Sequence, residues 1–347
     1  MSAADGAAPA PKPVNLALQG GGAHGAFTWG VLDRMLEDGR VCIEGISGTS
    51  AGAMNAVVAA DGLMAGGNEG ARAALRRFWR AVADAAHLSP IRRSPIDVFM
   101  GNWSLDTSPS FLFFDLLSRV ASPYALNPFS YNPILDLLVE QVDFARVQAC
   151  DRMKIFVSAT NVETGRIRVF ERGEVTAQSV MASACLPFLF QAVEIDGVPY
   201  WDGGYMGNPA LFPFFHRCVS DDIVIVQVNP VTRPGTPRSA REILNRINEI
   251  TFNASLLREL RAIEFVTRLI DQGRLEAGAY HRIRVHLIEG GEALRAFEAS
   301  SKLNAEWSFL ELLFNLGREA TDAWLERHVD DIGRSSTVDL PALYQGS

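Results

Sequence analysis

An α/β fold with a mostly parallel sheet covered by helices is the class this sequence predicts, and three observations predict it. Strand-like and helix-like patterns alternate through the first sixty residues, the order that builds parallel strands with helices on the sheet faces. Glycine-rich turns, Gly20-Gly21-Gly22-Ala23-His24-Gly25 and Gly48-Thr49-Ser50-Ala51-Gly52, stand where two of those strands give way to helices. Farther on, Ile223-Val224-Ile225-Val226-Gln227-Val228 forms an almost continuous apolar core to the run from Asp221 to Asn229. That is the pattern of a strand buried on both faces.

The elements follow in order. Val14-Asn15-Leu16-Ala17-Leu18 is the first strand and ends at the first glycine turn. Val41-Cys42-Ile43-Glu44-Gly45-Ile46-Ser47 is the second, and Ala51 to Ala60 after it is a helix of small side chains, able to lie close to the sheet. Between Val98 and Val139 large apolar residues accumulate, among them Phe99, Trp103, Phe113, Phe129 and Tyr131, interrupted by prolines. An insertion of this kind suits a lid over a pocket, or a helical cap that completes the core. Met153 to Thr160 and Arg166 to Phe170 pair as a hairpin or as neighbouring strands, and a second pair flanks the turn dipeptide Asp196-Gly197. From Ser239 to Leu275 apolar residues recur at helical spacing beside many arginines, which core packing explains as well as contact with a membrane surface does. After Lys302, the residues Trp307, Leu310, Leu313, Phe314 and Trp324 suit a C-terminal helix docked on the domain. The expected organisation is a disordered tail over 1–13, a catalytic core over 14–230 with the insertion at about 88–145, a helical extension over 231–335 packed on the same domain, and a loose tail over 336–347.

Composition narrows the function classes. With 347 residues and 48% hydrophobic content the chain can bury a large core as one elaborated domain. Lys+Arg 32 against Asp+Glu 40 gives a net charge of −8 with no basic run, which argues against a nucleic-acid partner and against membrane attachment by a polybasic patch alone. The four cysteines, Cys42, Cys150, Cys185 and Cys218, are widely spaced and form no metal-ligand pattern, so buried free thiols are expected and no metal or cofactor is implied. Residues 1–13 lack a charged n-region and an apolar core, and no stretch has the roughly eighteen apolar residues of a spanning helix. The expectation is a cytoplasmic protein, soluble or peripheral to a membrane.

The two turns carry the candidate chemistry. Gly48 and Gly52, two before and two after Ser50, let a strand turn sharply into a helix so that the hydroxyl stands exposed at the helix start. A GxSxG string alone arises often by chance; the strand, tight turn and helix around this one make Ser50 a candidate nucleophile. In the first turn, free N–H groups of Gly20, Gly21 and Gly22 at a helix start could meet an oxyanion. The same glycines admit a rival reading, because Gly20-x-Gly22-x-x-Gly25 follows a strand and Glu44 lies about twenty residues on, as in a dinucleotide-binding turn. That reading leaves the Ser50 motif unexplained, since the second strand runs past Glu44 to deliver the serine. Finally, Trp201-Asp202-Gly203-Gly204 puts an acid and two glycines at a strand end. It is either an ordinary Asp-Gly turn or a carboxylate pushed toward a neighbouring strand end, where α/β folds place their sites.

In these residues the sequence resembles the patatin-like phospholipase family. The resemblance rests on Gly20 to Gly25, on Gly45 to Ala56 around Ser50, and on Ala182-Ser183-Ala184-Cys185-Leu186-Pro187-Phe188 through Asp196-Gly197 to Asp202-Gly203-Gly204 with Asn208-Pro209. Order and spacing agree, and the likeness covers roughly Val14 to Pro230. It implies a three-layer sandwich with a helical cap, a Ser50–Asp202 dyad, lipid acyl hydrolysis and no metal for the chemistry. The partner implied is a lipid ester, met at a peripheral membrane or lipid-droplet surface, and the apolar insertion becomes a candidate acyl-chain pocket. One departure stands out: where the family's glycine turn usually has Arg or Lys, this chain has His24, so any side-chain help to an oxyanion would depend on pH. Three alternatives remain at this level. One is a Ser-His-Asp hydrolase drawing on His216, His281, His286 or His328; one is a polyester depolymerase; the third is a lipid-binding scaffold that has lost its chemistry.

Overall fold

Val14, Leu16 and Leu18 are buried on one side of the first strand and Ala17 on the other, so the strand can only be central. In the computed structural model, which describes residues 10–87, 89, 91–276 and 280–345, it is β1 (Lys12–Leu18) and pairs in parallel with β2 (Val41–Gly48). The helix α1 (Gly25–Asp38) connects them, and α2 (Ala51–Ala86), interrupted at Gly66 and Gly67, follows Ser50. The insertion folds as α3 (Pro95–Phe99), α4 (Pro109–Val120), α5 (Pro123–Leu126), α6 (Pro133–Gln141) and α7 (Phe144–Gln148). The first four of these begin with Pro in the first turn, where the missing N–H costs nothing and φ is preset. Thus Pro109, Pro123 and Pro133, which interrupt the apolar run in sequence, start its helices.

The chain then returns to the sheet with β3 (Lys154–Asn161) and β4 (Ile167–Glu171), antiparallel to each other. After α8 (Ala177–Ser183), β5 (Val193–Ile195) and β6 (Val198–Asp202) form the second expected pair. The short α9 (Phe212–Arg217) leads into β7 (Asp222–Gln227), every residue of which is buried. Last come α10 (Ala240–Asp271), β8 (Arg284–Glu289), α11 (Gly291–Arg295), α12 (Trp307–His328) and α13 (Leu340–Gln345). Strand order is β5-β6-β3-β2-β1-β7-β8, with β4 on β3. One apolar cluster joins this sheet to α1, α2, α8 and α12, and a second on the opposite face joins it to α9, α10 and α13. These are the three layers.

Several boundaries differ from the sequence expectation. The first strand starts at Lys12, whose N–H donates to the Arg40 carbonyl at 2.9 Å, so sheet pairing claims two residues assigned to the tail; residues 1–9 of that tail lie outside those described. The stretch after 230 is not purely helical, because β8 adds a parallel edge strand to β7. Residues 336–345 are not loose: Val285 N–H donates to Ser336 Oγ at 3.1 Å, Thr337 N–H donates to the Val285 carbonyl at 3.1 Å, and Leu340 is buried. Cys42 is exposed, while Cys150, Cys185 and Cys218 are the buried free thiols expected.

The insertion both completes the core and leaves apolar surface. Leu105, Phe111, Leu137 and Leu138 are buried, whereas Phe99 is 89%, Phe113 68% and Phe129 93% exposed. No helix among the described residues is long and apolar enough to cross a membrane.

Candidate active site

Register decides which residues meet. Along β3, Val157 pairs with Gly48 of β2 on one edge and Phe170 of β4 on the other, while Ala159 pairs with Arg168 of β4 and Asp202 of β6. The antiparallel β6 therefore occupies the same edge of β3 as β2, just beyond the point where β2 turns away. The last residue of β6, Asp202, consequently arrives beside the turn that carries Ser50.

At that turn Ser50 has φ 54° and ψ −121°, a conformation that costs a non-glycine residue about 1–3 kcal/mol. Its surroundings hold it there. Its N–H donates to Ser183 Oγ at 2.9 Å, and Thr49 Oγ1 donates to the Gly207 carbonyl at 2.6 Å. A Cβ on Gly52 would lie 2.3 Å from the Leu18 carbonyl oxygen, so only glycine lets α2 start this close to β1. Ser50 itself is half-buried, and its side chain stands close enough to the Asp202 carboxyl to favour the ionised form.

Asp202 is 2% exposed and held on three sides. Its N–H donates to the Cys185 carbonyl at 2.8 Å, its own carbonyl accepts from Thr160 Oγ1 at 2.8 Å, and its Oδ1 accepts the Gly204 N–H at 2.6 Å. Burial pushes its carboxyl up to about 7, against the pull of the Gly204 N–H and of the neighbouring Ser50 side chain. Gly203 lets β6 pass close to β3: a Cβ there would sit 2.1 Å from the Ser158 carbonyl oxygen.

The glycine turn lies against the serine, for a Cβ on Gly20 would come 2.8 Å from Ser50 Cβ. Here the expected set of three N–H donors needs correction. The Gly20 N–H already donates to Asn208 Oδ1 at 2.7 Å, so it is spent on holding the turn. Gly21 caps and Gly22 opens the short helical turn Gly22–His24 that leads into α1, and among the described residues neither N–H has a partner. Gly25 packs on Ala51, bringing the starts of α1 and α2 together.

His24 does not supply a pH-dependent charge. It is 2% exposed, its Nε2 hydrogen-bonds Ser301 Oγ at 2.8 Å, and the rings of Phe297 and Phe309 stand edge-on to it. Burial, then Lys302 and Arg233, push it down to about 3, so it stays neutral across the working range. The later histidines are engaged elsewhere or exposed. His286 bonds Asp222 at 3.0 Å, His281 bonds Asp221 at 2.8 Å, His328 bonds Asp331 at 3.0 Å, and His216 is exposed. Among the described residues no histidine hydrogen-bonds Ser50 or Asp202. Glu44, the acid of the dinucleotide reading, ion-pairs with Lys154 and accepts N–H bonds from Val219 and Ser220, where β3 and β7 begin and away from the strand ends that carry Ser50. No cluster of His, Cys, Asp and Glu among the described residues is arranged to hold a metal.

Sequence reasoning missed the supports. Ser183 and Thr160 stand 133 and 42 residues from the groups they bond, and a lone hydroxyl residue carries no local signal of such a role. The same is true of Asn229, whose amide donates to the Gly20 carbonyl from 209 residues away.

The fold and this arrangement define an α/β protein with a strained serine and a buried carboxyl at the sheet's strand ends. The chain belongs to the patatin-like phospholipase family, whose model matches residues 16–215, and that membership supports lipid hydrolysis as its activity. Among solved structures, VipD from Legionella pneumophila is similar over 92% of this chain and 68% of its own, at 16% identity and a TM-score of 0.42. ExoU from the type III secretion system of Pseudomonas aeruginosa, in complex with SpcU, is similar over 96% and 76%, at 16% identity and a TM-score of 0.30. No curated protein sequence matches.

Proposed function

We propose that this chain is a lipid acyl hydrolase in which Ser50 is the nucleophile and Asp202 its general base, with the Gly21 and Gly22 N–H groups receiving the oxyanion. The observation that carries the reading is a serine on a strained strand-to-helix turn set beside a buried carboxyl whose ionised form its side chain favours. A serine hydroxyl is a weak nucleophile at neutral pH, and a carboxyl near 7 is a base matched to taking its proton. As Ser50 Oγ attacks the ester carbonyl, Asp202 accepts the hydroxyl proton and then delivers it to the departing alcohol, leaving an acyl-serine. Water, deprotonated by the same carboxylate, attacks that ester and releases the fatty acid with Ser50 reprotonated. In both steps negative charge grows on the carbonyl oxygen, where one N–H donor is typically worth about 3 kcal/mol.

A place for the acyl chain is at hand. A cavity of about 200 Å³, lined in part by Leu135, Met181, Cys185, Phe190 and Val193, lies between the insertion, α8 and β5. The insertion is tied to the loop before β5 by Ala192 N–H donating to Tyr124 Oη at 3.3 Å and Gln191 Nε2 donating to the Asn127 carbonyl at 2.7 Å. The exposed aromatic residues of the insertion support contact with a lipid surface.

Labelling with a fluorophosphonate probe tests the assignment. The wild-type chain should be modified at Ser50, Ser50→Ala not at all, and Asp202→Asn at least about 100-fold more slowly. A Ser50→Ala chain that still hydrolyses a lipid ester at the wild-type rate would sink the reading.

A further inference from the structure

We infer that Lys302, acting through Asn229, is a positioning residue for the glycine turn, so that a segment beyond residues 16–215 sets the rate of a reaction whose reacting groups all lie within them. The inference rests on the role proposed above for Gly21 and Gly22.

Gly20 is gripped at both of its backbone polar groups by side-chain amides. Its N–H donates to Asn208 Oδ1 at 2.7 Å, and its carbonyl accepts from Asn229 Nδ2 at 2.6 Å. The peptides that follow carry the two unpartnered N–H groups, so whatever aims Gly20 aims them. An asparagine amide can present either its oxygen or its nitrogen to a neighbour, and partners decide which. Here the Lys302 ammonium donates to Asn229 Oδ1 at 2.7 Å. An ammonium has donors and no acceptor, so it requires the oxygen and leaves the NH2 for the Gly20 carbonyl and for Gln19 Oε1 at 3.3 Å.

The same segment, the short helical turn Ala299–Leu303, touches the glycine turn twice more. The Lys302 carbonyl oxygen lies 2.4 Å from where a Cβ on Gly22 would stand, and Ser301 Oγ bonds His24 Nε2 at 2.8 Å. Gly22 has φ +58°, so its glycine is needed both for conformation and for this approach. Stability alone accounts poorly for the lysine. Burial pushes its ammonium down to about 8 against the attraction of Glu249, and that carboxylate makes its close ion pairs with Arg233 and Arg246 instead. A half-buried cation whose hydrogen bond goes to a neutral amide gains little stability from it, which fits a group retained for what it orients.

The test uses the full chain with a soluble short-chain p-nitrophenyl ester and fluorophosphonate labelling of Ser50. Lys302→Met keeps the stem and removes the cation. Asn229→Asp keeps the oxygen that Lys302 needs and removes the donor to Gly20, so it serves even if Lys302→Met fails to fold. For each folded variant kcat and the labelling rate should fall about 10- to 100-fold while KM stays within about twofold. Folded variants with kcat within about twofold of wild type, or with a loss confined to KM or to the unfolding midpoint, would overturn the inference. If the wild-type chain is itself unlabelled at Ser50, the proposed function falls and this inference falls with it; labelling at equal rates in wild type and variants removes the inference alone.

Discussion

Asp202 ties electrostatics to both activity and stability at the scale of one residue. Its carboxyl is raised to about 7 by burial, so ionisation, which the proposed base role requires, follows pH through that value. Ester hydrolysis should therefore show an acid limb with its midpoint near 7, falling about 100-fold by pH 5. A midpoint near 7 would ordinarily suggest histidine, and here His24→Ala and His286→Ala should leave it in place, as a pH–rate profile of each variant will read. The sign for stability is opposite. A carboxyl whose folded value lies above its unfolded 3.8 releases its proton on unfolding between the two, so its contribution is present at low pH and lost as pH rises through about 7. Ser50 carries a second cost, in its backbone. With φ at 54°, Ser50→Gly should raise the stability of the chain by about 1 kcal/mol in urea denaturation while abolishing turnover.

At the scale of elements, two helices far apart in sequence are joined as closely as backbones permit. A Cβ on Gly30 of α1 would meet the Phe314 carbonyl oxygen of α12 at 2.0 Å, and one on Gly317 of α12 would meet the Phe27 carbonyl oxygen at 2.1 Å. Arg318 and Arg72 bind Asp33 beside this crossing. Because backbone cannot yield as a side-chain tip can, Gly317→Ala should cost about 3 kcal/mol, seen as a lower urea midpoint with unchanged denaturant slope. The C-terminal helix is thereby packed directly on the helix that leads out of the glycine turn. At the far edge of the sheet, His286 Nε2, Arg284 and the Gly333 N–H all bond Asp222, which anchors β8 to β7 and explains a buried histidine without catalysis.

Across the whole molecule, the candidate site and the apolar insertion share one region. Phe188, 69% exposed, lies on the loop between α8 and β5, and Phe99 and Phe129 project from the insertion that is bonded to this loop. A double substitution Phe99→Ser and Phe129→Ser should lower activity on phospholipid vesicles about tenfold or more, by loss of buried apolar area at the surface. Activity on a monomeric soluble ester should be unchanged, so the ratio of the two rates is the measurement. Equal losses on both substrates would place those residues in the core's stability instead.

Local pattern was enough for the sheet's central strands, the two glycine turns and the places of Ser50 and Asp202 at strand ends, because strand periodicity and the steric demands of a tight turn are imposed by a few adjacent residues. Periodicity was not enough for β8, a short strand at the sheet edge whose Arg284 and His286 interrupt the apolar run, or for α13, whose burial depends on a partner helix elsewhere. Nor could any local pattern show that the Gly20 N–H is consumed by Asn208, that His24 is buried and neutral, or that Lys302 reaches Asn229. Each of these depends on which side chain from a distant segment fills the next few ångströms. Above all, the meeting of Ser50 with Asp202 follows from β6 running antiparallel along the edge of β3 that β2 has vacated. Motifs name the candidate groups, but only strand register brings a carboxyl and a hydroxyl from separate elements side by side.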